Sequence, residues 1–198
     1  MRQHILHPLA VSMMLALAAC SQEPAAPETP AAEAPAAEPA PEAAAAAPAA
    51  SSVRALMVDV VVPASDAIWN AVSYRSTPDG VEMVAPETDE AWENVRFQAM
   101  QLIDASRLLT TEGFPVKLEG ETLLDEGAEG NLTPEQIEAA MAEQRPALIA
   151  AAGVLEAAAN EVIAAVDTRD VEALSNAGGT LDQACEACHL NFWYPAAP

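Results

Sequence analysis

Histidine is scarce in this chain. Three of its 198 residues are His, and two of them, His4 and His7, fall in the first seven positions. If those positions belong to a removed leader, His189 stands alone, and no iron could take two histidines from one mature chain. Cysteine is equally sparse, at three residues. A structural zinc site usually takes four Cys and His ligands, so here it would have to recruit a carboxylate or a second chain. Basic residues number eight against thirty acidic ones, a net charge of −22, one unit more negative once Arg2 leaves with the leader. Nucleic acid and anionic membrane surfaces are thereby disfavoured as direct ligands, and a protein partner with a basic face is favoured. Alternating Val/Thr/Tyr runs and hairpin dipeptides are not evident, so no strands are expected. A thioredoxin-like redox site would then lack its βαβ setting.

What the chain does contain is Cys185-Glu186-Ala187-Cys188-His189 near its C-terminus. C-x-x-C-H is the attachment signature of a c-type haem: two thiols form thioethers with the porphyrin and the histidine ligates the iron. On a helix these residues stand at i, i+3 and i+4 and share one face.

The N-terminus supplies a compartment for such chemistry. Residues 1–19 form a short, weakly charged start followed by an apolar run of signal-peptide length, too short to span a bilayer as a mature helix. The run ends in Leu17-Ala18-Ala19-Cys20, similar to the lipobox of bacterial lipoproteins, which marks Cys20 for lipidation. Cys185 and Cys188 then go to haem, Cys20 goes to lipid, and no thiol is left over. Residues 20–51 comprise this cysteine and a stretch almost wholly of Ala, Pro and Glu, with nothing to bury. The expectation is a disordered tether reaching on the order of 90 Å when extended. The protein would sit in the periplasm, anchored to a membrane by lipid.

Residues 52–198 are one domain's worth of chain. Four helices can be read from it. The first, 52–73, carries Val53, Met57, Val60, Ala64, Ile68 and Val72 at heptad-like spacing and should kink at Pro63. The second, 88–111, starts at the N-cap candidate Thr88 and stops at Gly113. The third, 133–166, opens on Thr133-Pro134-Glu135-Gln136, a capping box with proline at the first helical position, and should break or bend at Pro146. The fourth, 170–193, carries the haem motif and ends before Pro195. Pro78-Asp79-Gly80 reads as a turn. The connection 113–132 is long for a helix–helix loop, suited to packing beside the cofactor or to contacting a partner. The expected fold is all-α, an antiparallel four-helix bundle with covalently bound haem in its core. Trp69, Trp92 and Trp193 read as core or haem-packing residues.

The chain resembles the cytochrome c′ superfamily of four-helix-bundle c-type cytochromes, particularly its low-spin members, over residues 52–195. The matching residues are Cys185-x-x-Cys188-His189-x-x-Phe192, Leu56-Met57, Pro63, Asp66, Ile68-Trp69 and the trailing Trp193-Tyr194-Pro195. Many relatives place Arg or Lys beside the haem motif, and this chain places none there. The resemblance implies one covalent haem c, with His189 as proximal iron ligand and Met57 in the family's distal position. Helix depth agrees: Met57 lies about as far from the start of the first helix as His189 from the end of the fourth. Met141 is the competing sulfur at that level. Met83 belongs to the opposite end, and Met100 is mid-helix. Arg54, one turn before Met57, is a candidate partner for a haem propionate. The leading expectation is a non-enzymatic electron carrier between redox proteins. The alternative is a five-coordinate haem that binds nitric oxide or similar gases. A peroxidase would want a distal His or Arg, and only Arg54 could serve. Relatives often form homodimers through their first two helices, which extends that expectation to this chain.

Overall fold

The first helix begins because its orphan donors find partners. Ser52 is the N-cap, with its Oγ accepting from Ala55 N–H at 3.1 Å. The preceding two donors, Val53 N–H and Arg54 N–H, reach Pro115 O and Val116 O at 2.8 and 2.9 Å, so the first turn is satisfied partly from a distant loop. The helix runs as α1 (Val53–Leu56), a π-helical turn (Met57–Val61) and α2 (Val62–Ala71). This computed structural model describes residues 50–195, all within one compact unit. The leader, Cys20 and nearly all of the tether expected at 20–51 lie outside the described residues.

Next comes a two-stranded antiparallel hairpin, β1 (Ser73–Thr77) and β2 (Gly80–Val84), paired from Ser73↔Val84 to Thr77↔Gly80. Its presence corrects the expectation of an all-α chain without strands. Pro78 and Asp79 make the turn, and Gly80 takes φ +135°, a value that side chains resist. The strands are mostly exposed. With neither face buried, they never develop the apolar alternation by which strands are recognised in sequence.

The remaining helices are α3 (Asp89–Leu109), α4 (Pro134–Glu143), α5 (Arg145–Thr168) and α6 (Val171–Phe192). Thr88 caps α3, Asp170 caps α6, and the Thr133–Gln136 capping box is closed from both sides. The third helix of the sequence reading is thus two helices. The break falls at Gln144, and Pro146 occupies the first turn of α5, where its missing N–H does no harm. Arg169 in the left-handed region (φ 51°) ends α5 and turns the chain directly into α6, which makes the two antiparallel neighbours.

The chain is mostly helical, with α2 against α3 and α6, and α5 against α3 and α6. Leu56, Ile68, Val95, Leu102, Val162, Leu174 and Leu181 are fully buried between them. Trp92 belongs to the same core. α5 is long and apolar enough to cross a membrane by composition alone. Its buried residues, from Leu148 through Leu155 and Val162 to Val166, recur at helical spacing and face α3 and α6, as in a core helix. The stretch 113–132 packs back on the molecule: Val116 is buried, and Leu132 N–H donates to Trp193 O at 2.8 Å.

Candidate functional site

The chemistry-bearing residues Cys185, Cys188 and His189 lie on α6, which Asp170 caps and which lies close to α2 at Gly178. Gly178 O accepts from Trp69 Nε1 at 2.9 Å. A Cβ on Gly178 would meet Trp69 Cδ1 at 3.3 Å, so the glycine permits the approach. Beside this contact is a cleft of about 320 Å³ lined by Ile68, Trp69, Val72, Leu174, Gly178 and Asp182 among others. A second cleft of about 830 Å³ lies between the hairpin and the start of α6. Neither is lined by Cys185, Cys188 or His189. The first stops at Asp182, one helical turn before Cys185.

Cys185, Cys188 and His189 are half-buried on the last two turns of α6, and both thiols are free. Burial, then Asp182 and Cys188, pushes the Cys185 thiol up to about 11. Burial likewise pushes the Cys188 thiol up. Burial lowers the His189 pKa, partly opposed by Glu186. At neutral pH the site therefore presents two protonated thiols and a neutral imidazole whose lone pair is free to ligate. Among the described residues no cluster of three or more His, Cys, Asp or Glu side chains is arranged to hold a bare metal ion. The donor set suits two thioethers and one axial ligand better than a zinc cage.

The helix end holds His189 in place. Trp193 and Tyr194 both donate their backbone N–H to His189 O, at 2.8 and 3.0 Å. The Trp193 ring stands edge-to-face with the imidazole at 5.1 Å between centroids and 83° between planes. Tyr194 lies 5.8 Å from the imidazole and donates its hydroxyl to Glu186 Oε2 at 2.7 Å. That bond, ahead of burial, pushes the tyrosine up to about 12. The aromatic residues after the motif were legible in sequence. Glu186 as the anchor of Tyr194 was not.

The Trp69–Gly178 bond also fixes the register of the first helix against α6. Met57 precedes Trp69 by twelve residues and His189 follows Gly178 by eleven. On antiparallel helices this carries both about 16 to 18 Å toward the same end of the molecule. The start of α1, the stretch 113–132 and the end of α6 are joined there by the Val53–Pro115 and Leu132–Trp193 bonds. Met57 is half-buried and packs on the core edge. Met141, also half-buried, lies on α4, which packs on α5 and α6. Met83 is exposed in the hairpin, beside the start of α6. Arg54 is engaged elsewhere than at the motif: its Nε donates to Thr122 O at 3.4 Å and its Nη1 lies 3.9 Å from Glu121 Oε1. No protein-family model, curated protein or solved structure matches this chain.

Proposed function

We propose that this chain is a monohaem c-type cytochrome that carries one electron between redox proteins and is not an enzyme. On this reading α1–α2, α3, α5 and α6 form an antiparallel four-helix bundle of the cytochrome c′ kind, with α4 and the hairpin as additions. The neighbour relations α2–α3, α3–α5, α5–α6 and α2–α6 support it. Lipid on Cys20 would hold the bundle to a periplasmic membrane face through the tether. Two anchoring acyl chains or more would make that attachment stable.

The observation that carries the reading is the C-x-x-C-H constellation on one face of a helix end, level with a half-buried methionine on the neighbouring helix. Cys185 and Cys188 would hold haem c by thioethers, His189 would be its proximal ligand and Met57 its distal one. When bound, the haem supplies a one-electron iron couple, which a methionine ligand biases toward the ferrous state relative to two histidines. The protein's share is to keep His189 neutral by burial, to fix its ring with Trp193, and to close the distal side with Met57.

Optical spectra of oxidised and reduced protein, with and without carbon monoxide, test this for wild type and Met57→Ala. The expected wild type is low-spin in both states and unreactive to carbon monoxide, whereas Met57→Ala becomes high-spin and binds it. Rapid, stoichiometric binding by the wild type would replace the electron-carrier reading with a gas-binding one. An unchanged Met57→Ala spectrum would move the ligand role to Met141.

A further inference from the structure

The π-helical turn Met57–Val61 begins on the proposed distal ligand and ends two residues before Pro63. Pro63 has no N–H, so the Asp59 carbonyl loses its α-helical donor, and the proline ring crowds that same carbonyl. The ladder instead passes through Val62 N–H, which reaches back five residues to Met57 O. Such a turn accommodates one residue more than an α-helical turn. It therefore rotates everything before it by up to about 100°, one residue's worth, relative to an unbroken α-helix.

Burial records that rotation. Leu56 and Val61 are 0% and 5% exposed, yet residues five apart on an α-helix point about 140° away from each other. Val60, which α-helical spacing from Ala64 would bury, is only half-buried. Val58 and Val62 face outward at 45% and 52% exposure. The apolar stripe is continuous only because the helix widens here.

The consequence falls on Met57. In an unbroken α-helix Met57 and Trp69, twelve residues apart, would lie about 120° apart around the axis. The π turn closes most of that angle. Trp69 is on the edge of the first helix that touches α6, as its bond to Gly178 O shows. We propose that Pro63 is the positioning residue for Met57: by forcing the π turn ahead of it, it turns Met57 onto the edge of the helix that faces α6 and His189. This rests on Met57 being the distal ligand of the iron.

The test uses three variants of the haem-loaded protein, read by the sulfur-to-iron charge-transfer band of the oxidised form and by carbon monoxide binding of the reduced form. Pro63→Ala restores the missing donor at an exposed position, so the helix should close to α and swing Met57 away. The expected result is loss of most of the band and gain of carbon monoxide binding. Deleting Asp59 in the Pro63→Ala background removes the extra residue and returns Met57 to its edge, so the band should recover. Pro63→Ala with an unchanged band overturns the inference, as does failure of the Asp59 deletion to restore it. Should Pro63→Ala alone fail to fold, because closing the turn also rotates Leu56 out of the core, the chain that also lacks Asp59 carries the test: its apolar stripe is continuous again, and absence of the band there overturns the inference. Met57→Ala separates the two levels: if it leaves the wild-type band intact, the ligand reading itself fails. If Met57→Ala abolishes the band and Pro63→Ala does not, only the role of Pro63 fails.

Discussion

Ser52 and Ser65 are both buried, at 0% and 2% exposure, at the start and in the body of the first helix, yet they should respond oppositely to loss of their hydroxyls. Ser52 Oγ caps the helix and donates to Glu121 Oε2 at 2.8 Å. Ser52→Ala is expected to destabilise by about 1–2 kcal/mol. Ser65 Oγ has no hydrogen-bond partner among the described residues, so it bears the desolvation cost without return. Ser65→Ala should be neutral or stabilising by up to about 1 kcal/mol. Denaturant melts of the two variants check the contrast, and a Ser65→Ala loss as large as that of Ser52→Ala would contradict it. Such distinctions are invisible in sequence, because they depend on what a hydroxyl meets after folding. The motif residues are different: Cys185, Cys188 and His189 share a face of α6 through local spacing alone, so that face was legible before any tertiary contact. Met57 was legible as a level along the helix. Its angular position depends on a π turn that adjacent apolar residues, Val60 and Val61, conceal.

Elements bounded by side-chain caps were readable to within a residue or two, as Thr88, Thr133 and Asp170 illustrate. The hairpin is hard to see in sequence because both its faces are largely solvated and because Asp79-Gly80, a hairpin dipeptide, reads equally as an isolated turn after Pro78. In sequence the stretch 113–132 suits packing beside a cofactor or contacting a partner alike. Its carboxylates tie it to itself and to the first helix, with a pH signature. Glu121 is held below the usual carboxylate range first by the Leu118 N–H, then by Ser52. Glu126 is held down first by the Leu123 N–H, then by Lys117. A carboxyl with a lowered folded pKa contributes stability above its unfolded value and loses it as pH falls through the folded one. Thermal stability should therefore fall as pH drops below about 4.5, the ordinary Glu value. Glu121→Gln should flatten part of that slope while lowering stability at neutral pH. A slope identical to wild type would show that this carboxylate does not tie the loop to the first helix.

At the scale of the molecule the charge balance becomes an address for partners. The chain carries −22, and the cations Arg54, Arg96, Arg107, Lys117 and Arg169 all lie in ion pairs with carboxylates, leaving the acidic excess to dominate the outer field. Exposed pairs of this kind add little to stability, so their main effect is on what approaches. Asp182 lies one turn before the C-x-x-C-H motif on α6 and Glu186 lies within it, and Glu121 and Glu126 stand in the stretch bonded to both helix ends there. If the proposed electron transfer passes through this end, a cationic redox reagent should react faster than an anionic one of equal driving force. The advantage should be about tenfold or more at low salt. It should collapse as the Debye length shrinks to about 3 Å near 1 M salt. Stopped-flow rates with two small metal complexes of opposite charge, measured across ionic strength, check this without any knowledge of the physiological partner. Parallel salt dependences for the two reagents would mean that electrons leave through a surface where the acidic field is not felt. The surface around the end of α6 that bears His189 would then lose its claim as the docking face.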